Sequence, residues 1–454
     1  MTMKRNKAAL YGPTIQIDPG FLYYRNRSPE SIADEILQNG YTSVRYFVVN
    51  ENIVDRALID AFHERGVAVW ATVLGNGSYS VEQFPAEWPG WQMKLLKPVN
   101  DGYYRFSPFS KGYRTWKKQA LVRLVMEYPF DGIEVAEPYL PEWDGIDSGV
   151  YGDVGPLAQE AFLQATGRLM PNFTDPAASD YYLKNPELYE QWVDFRVQAV
   201  NGFLAELING YGGVRDSRKD ILVATWSLAV DAGLDSVHRL REYQGLDAAR
   251  MISAVDPDLH ILQTHWPDWM KPQGVLPGSY IRNYQNFIDQ IRSVHPDLPL
   301  GVQADIGSRL SMVKDRSWLR QFHRTAQEMG FSTWTAYEYH LGSYMYTEAP
   351  FPTAIQRPDK ESAIISFQKR IDPASAHLPN SFIVLTDGQR FALPSEAVTV
   401  DGNRVLIRSS QLPNKEFQIH IANVTDTPQY WLYNKTQPAN VVGGSTHVHR
   451  RSKS

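Results

Sequence analysis

The feature that most restricts this fold is a repeated junction, in which a helix stops at a glycine and the chain turns straight into a β-rich run. In SPESIADEILQNG, Ser28 suits an N-cap, Pro29 the first helical position, Ile32, Ile36 and Leu37 share a face, and Gly40 closes the helix. TSVRYFVVN follows at once as a strand. NIVDRALIDAFHERG leads through Gly66 into VAVWATVLG, and SWLRQFHRTAQEMG leads through Gly330 into FSTWTAYEY. Counting such runs gives eight: GPTIQID, TSVRYFVVN, VAVWATVLG, DGIEVAEP, DILVATWSL, LHILQTHW, PLGVQADIG and FSTWTAYEY. Eight βα units predict a (β/α)₈ barrel. A doubly wound sheet needs fewer units and carries a Gly-rich phosphate turn after its first strand, which is absent here.

The barrel is expected over residues 1–372, with insertions at 78–110 and 139–185 that follow strands and so build the mouth of the barrel. After a last helix predicted near KESAIISFQKRI, short alternating runs with DG turns predict a β-sandwich over 376–437. Residues 438–454 are expected to be a disordered tail.

At 454 residues the chain is long enough for one large catalytic domain with a modest appendage. Its net charge of -5, without a basic stripe, argues against a nucleic-acid partner. No cysteine is present, which excludes disulfides, thiolate metal sites and thiol nucleophiles. No window reaches transmembrane length and no apolar signal stretch follows the N-terminal basic residues, so no membrane association is expected. The expected location is cytoplasmic, or secreted if a leader has been removed. The aromatic content, 12 Trp, 25 Tyr and 19 Phe, suits flat apolar ligands such as sugar rings as well as cores.

In a barrel, function sits at the C-terminal ends of the strands. There the chain offers Arg45 and Asn50, Asn76, Glu137 with Tyr139 beyond it, Trp226 and Ser227, Gln263, His265 and Trp266, Gln303 and Asp305, and Trp334 and Glu338. Acids among amides and aromatic platforms are what glycoside hydrolysis requires: one acid protonates the leaving oxygen while another attacks or activates water.

Several of these segments resemble clan A glycoside hydrolases, the cellulase and mannanase type. GYTSVRYFVVNE resembles the second-strand run that ends in arginine, and VAEPY resembles the fourth-strand Asn-Glu-Pro signature, with Ala136 in place of the Asn. THWPDW is similar to the His-x-Tyr element. VQADIG resembles the seventh-strand segment of the nucleophile, with Asp305 in place of Glu, and Trp334 is similar to the eighth-strand tryptophan that floors the site. The resemblance implies that Glu137 is the acid/base and Asp305 its partner, with Glu338 in reserve. With the strand-end positions, it leads to the expectation that Arg45, Asn76, Tyr139, Trp226, His265, Trp266, Gln303 and Trp334 bind a carbohydrate and that no cofactor or metal is required. The oligomeric state is left open.

Each residue also has a plain structural reading. Glu137 could pair with Arg45, Asp305 could hold a neighbouring side chain, and Glu338 could be a solvated loop acid. Strict alternation places Glu134 and Glu137 on opposite strand faces unless a bulge intervenes, and Glu134 is expected to form an inward ion pair lower in the barrel. Trp88, Trp91 and Trp143, in loops, are candidate sugar platforms. Two rival functions use the same residues. In one, Glu137, His265, Asp305 and Glu338 hold a divalent cation in a sugar isomerase-like barrel; in the other, the barrel binds sugar without cleaving it.

Overall fold

A computed structural model describes residues 6–449 except Glu142, Pro272 and Asp387. Eight parallel strands close into a barrel: β1 (Gly12–Ile17), β2 (Ser43–Val48), β3 (Ala68–Leu74), β4 (Gly132–Ala136), β5 (Leu222–Ala229), β6 (Leu259–Thr264), β7 (Leu300–Asp305) and β8 (Thr333–Tyr337). Each coincides with one of the eight β-rich runs. Closure is made by β1 on β8, with Ile15 opposite Ala336, and by β1 on β2, with Gln16 opposite Arg45.

The local grammar explains the helices. Ser28 accepts a hydrogen bond from the Ser31 N–H and starts helix Pro29–Gln38, and Asp55 caps helix Arg56–Glu64 through the Leu58 N–H. Their apolar faces bury Ile32, Ile36, Leu58, Ile59 and Phe62 against the outside of the barrel. Among the described residues no helix is long and apolar enough to cross a membrane.

Both insertions carry structure of their own. The first closes a short hairpin, Gly77–Ser78 with Tyr104–Arg105. The second has its own small core around Tyr151, Phe162, Phe173 and Trp192, and it leads into helix Pro186–Asn209.

The C-terminal region differs from expectation in two ways. KESAIISFQKRI holds a strand, not a helix, because Ala363, Ile365 and Phe367 alternate into a core with the period of two that a strand imposes. The sandwich therefore begins near residue 352. Its first sheet orders Pro352–Asp359, Ser362–Phe367, Arg404–Arg408 and Val398–Asp401. The second orders Gln389–Ala392, Phe382–Thr386, Phe417–Ile421 and Ser445–His449. Ser445–His449, placed by the sequence reading in a disordered tail, pairs antiparallel with Phe417–Ile421; residues 450–454 lie outside the described residues.

No long helix follows β8, only a 3₁₀ turn (Tyr339–Leu341) and a four-residue helix (Tyr344–Thr347). The sandwich stands in that place, bonded to the first helix and the loop before it. The Ser28 N–H donates to Asp401 (2.7 Å), Thr353 Oγ1 to Gln38 (2.8 Å) and Asn39 Nδ2 to the Gln368 carbonyl (3.1 Å).

Candidate active site

A cavity of about 410 Å³ opens at the C-terminal ends of the strands. Alternation along each strand decides what reaches it. Gln16 and Asp18 come from β1 and the residue beyond it, Phe47 from β2, Thr72 and Leu74 from β3, Glu134 and Ala136 from β4, Trp226 from β5, Gln263 from β6, Gln303 and Asp305 from β7, and Tyr337 from β8. Loops add Tyr79, Glu137, Trp269 and Ser308.

The floor is polar and only partly paired: Arg45 Nε and Nη2, Glu134 Oε1 and Gln263 Oε1 are buried without a hydrogen-bond partner. Gln303 Nε2 donates to Gln16 Oε1 (3.0 Å), and Arg45 Nη1 donates to Glu134 Oε2, with both side chains of that pair fully buried. Arg45 is thus the partner of the inner Glu134. It forms part of the barrel interior below the cavity and does not line the surface a substrate would meet.

Glu137 reaches the same cavity as Glu134 although three residues separate them. The strand ends at Ala136, and Glu137 takes a left-handed φ of 50°, which breaks the alternation and turns its side chain inward. Such a backbone in a non-glycine residue is uncommon and concentrates at functional sites. Tyr103, from the first insertion, donates its hydroxyl to Glu137 Oε2 (2.7 Å). Gly77 permits this: a Cβ there would lie 1.8 Å from the Tyr103 hydroxyl oxygen. Tyr103 in turn packs on Tyr79, with ring centroids 4.9 Å apart. Tyr79 keeps 59% of its surface exposed, yet its phenol is pushed up by partial burial and then by the charges of Glu137 and Asp305.

Asp305 ends β7 and closes a tight turn. Its Oδ1 accepts from the Gly307 N–H (2.9 Å) and the Ser308 N–H (3.1 Å), while the Ser308 hydroxyl donates to Oδ2. Burial nevertheless outweighs these bonds and raises the carboxyl to about 6. Asp18 is a third acid on the cavity, raised to about 6 by burial and by the nearby Glu338. The sequence reading passed over it, though Thr14, Gln16 and Asp18 follow the same period of two.

Glu338 does not line the cavity. It is fully buried and accepts from the Tyr24 hydroxyl (2.6 Å), the Asp18 N–H (2.5 Å) and the Tyr339 N–H (3.0 Å). A carboxylate held from three directions is a structural hub, not a solvated loop acid.

The other expected residues divide. Trp226 and Gln303 line the cavity, and Tyr139 stacks on Trp226 at 6.0 Å with planes 9° apart. Asn76 lies behind the wall, its Nδ2 donating to the Tyr139 carbonyl (3.0 Å). His265 is buried against the edge of Trp143 and held neutral, its pKa lowered to about 3 by burial; it does not line the cavity. Trp269, at the other end of the short helix Trp266–Trp269, lines the cavity in its place; Asp268 of that helix accepts from Tyr284 and Lys271.

Trp334 faces outward toward His323 of helix Arg316–Glu328, because Tyr337 occupies the inward face and residues an odd number of positions away point the other way. Trp88 and Trp91 pack on Tyr104 and on Tyr113 with Trp116, so they brace the first insertion and do not line the cavity. Among the described residues no group of three or more His, Asp or Glu side chains is placed to hold a metal ion, so the four residues required by the isomerase reading are not assembled.

No protein-family model matches this sequence, and no curated protein matches it. Its three-dimensional likeness is to solved glycosidase structures. The glycoside hydrolase domain of PgaB (BpsB) from Bordetella bronchiseptica is 16% identical, with 72% of this chain and 94% of that chain covered and a TM-score of 0.54. The beta-galactosidase from Marinomonas ef1 is 11% identical over 72% of this chain and 54% of that one, with a TM-score of 0.49. At such identities the likeness speaks for the fold alone: the chain is a (β/α)₈ barrel, as the PgaB hydrolase domain is, with a C-terminal β-sandwich.

Proposed function

We propose that this chain is a glycoside hydrolase that cleaves an O-glycosidic bond with two carboxyl groups, Glu137 as acid/base and Asp305 as its partner. The observation that carries the reading is that Glu137 and Asp305, from opposite parts of the barrel, line one aromatic-walled cavity at the catalytic face. Glu137 would give its proton to the leaving oxygen as the bond breaks. Asp305, once ionised, would meet the positive charge that develops on the sugar ring. Trp226, Trp269 and Tyr337 provide ring surfaces, and Gln263 and Ser308 offer hydrogen-bonding groups for hydroxyls.

The lining also bears on the kind of sugar. Among the described lining residues are Asp18, Glu137 and Asp305, besides the paired Glu134, and no Lys, Arg or His. A neutral or cationic sugar suits such a surface and an anionic one does not. Ala136 lines the cavity where the clan A signature has Asn, so the hydrogen bond that Asn makes to the sugar must come from elsewhere or be dispensed with.

The test is a panel of nitrophenyl glycosides and oligosaccharides. Wild-type protein should release product from at least one, and Glu137→Gln should fall by roughly 10²–10⁴-fold on an oligosaccharide of that sugar, whose leaving oxygen needs a proton. A protein that binds sugars yet releases nothing at high concentration is a carbohydrate-binding barrel, and the hydrolase assignment fails.

A further inference from the structure

The sandwich domain reaches the catalytic face. Between its last two strands the chain crosses to the barrel, where Trp431 is buried in the barrel's core cluster and packs edge-on against Tyr346 (5.1 Å, 75°). Asn440 Nδ2 donates to the Tyr346 carbonyl (2.9 Å), and Asp426 binds both Asn440 and the buried Lys369. From this anchored segment the Tyr433 hydroxyl donates to the carbonyl of Gly307 (2.7 Å). Gly307 is the residue whose N–H donates to Asp305 Oδ1, and Leu341 packs closely over it, since a Cβ there would lie 2.2 Å from Leu341 Cδ1.

We propose that Tyr433 is a positioning residue of the active site, supplied by the C-terminal domain, which fixes the Gly307–Ser308 turn and through it the orientation of the Asp305 carboxylate. The peptide on one side of Gly307 is then held by Tyr433, and the N–H on the other side by Asp305 itself. The sandwich becomes a structural part of the catalytic unit. The inference rests on the glycosidase reading only in calling Asp305 catalytic; the contact and its test need no substrate.

The test is the titration of Asp305 in the full-length chain, followed by NMR on protein labelled with ¹³C at aspartate side-chain carboxyls and assigned with Asp305→Asn. Titratable groups facing Asp305 from other elements are Tyr79, Tyr280, Tyr337 and Tyr433, and only the last is altered in Tyr433→Phe. Removing the hydroxyl loosens the turn whose hydrogen bonds favour the ionised carboxylate, so the Asp305 midpoint should move upward by roughly 0.5 pH. Tyr430→Phe, in the same segment but without a contact to the turn, should leave it unchanged. A wild-type midpoint in folded Tyr433→Phe and in folded Tyr433→Leu would overturn the proposal. A shifted midpoint stands even if no glycoside is ever cleaved, so its outcome is separable from that of the hydrolase assignment.

Discussion

Arg45 and Glu134 meet inside the barrel with neither side chain exposed, the guanidinium donating to the carboxylate across β2 and β4. Burial is the largest influence on each: it raises Glu134 and lowers Arg45, and mutual attraction does not reverse either shift. The pair is therefore held by the fold more than it holds the fold. Removing one partner, as in Glu134→Leu, should cost about 3–5 kcal/mol in urea unfolding, because a buried charge is left alone. The double replacement Arg45→Met with Glu134→Leu should recover most of that loss. A double variant as unstable as the single would show that the pair itself stabilises the barrel.

Gly77 is held to glycine by the Tyr103 hydroxyl, which in turn holds Glu137. Gly77→Ala should push Tyr103 off Glu137. Since a displacement of about 1 Å at a catalytic group can cost on the order of a hundredfold, kcat should fall by one to two orders of magnitude while the thermal midpoint changes little. Unchanged kcat would remove Tyr103 from the account of Glu137.

Asp305 should impose an acid limb on the pH–rate profile. Its carboxyl titrates near 6 because it is buried, and the reaction needs it ionised, so kcat/KM should rise with pH through about 6. Asp18 also titrates near 6. Asp18→Asn should keep the limb if Asp305 produces it, whereas loss of the limb in that variant would assign it to Asp18.

The same burial makes ionised Asp305 a liability to stability. Its folded pKa of about 6 lies above the ordinary aspartate value of 3.8, so the folded state binds the proton more tightly. The stabilisation this brings is complete below about pH 4 and is lost as pH rises through about 6. Asp305→Asn keeps the turn's acceptor and removes the charge. It should be more stable than wild type at pH 7.5, by up to about 3 kcal/mol, and should lose that advantage at pH 4, as read by denaturant titration at the two pH values.

Much of the barrel was legible because β2, β3 and β8 each follow a helix that closes at a glycine (Gly40, Gly66 and Gly330), signals that act over a few residues. Ser28 and Asp55 cap where such residues cap. KESAIISFQKRI has the composition of a helix, whereas burial of Ala363, Ile365 and Phe367 follows a period of two and makes it a strand of the sandwich. Within the site, Glu137, Asp305, Trp226 and Gln303 follow from being at strand ends. Trp334 and Glu338 follow the register of β8 and its exit, which the sequence reading did not carry through. Trp269 lies in the THWPDW segment, but only the short helix Trp266–Trp269 turns it and not Trp266 to the cavity, while Tyr103 and Tyr433 lie in loops whose placement depends on contacts distant in sequence.

The claim that Glu137 is the acid is tested most directly by leaving-group dependence. A dinitrophenolate departs without a proton, while a sugar or simple alkoxide needs one. Glu137→Gln should therefore keep most of its bond-breaking rate on the dinitrophenyl glycoside of whichever sugar the wild type accepts, and lose about 10²–10⁴-fold on the matching alkyl glycoside or disaccharide. Equal losses on both, or none on either, would contradict the assignment of Glu137.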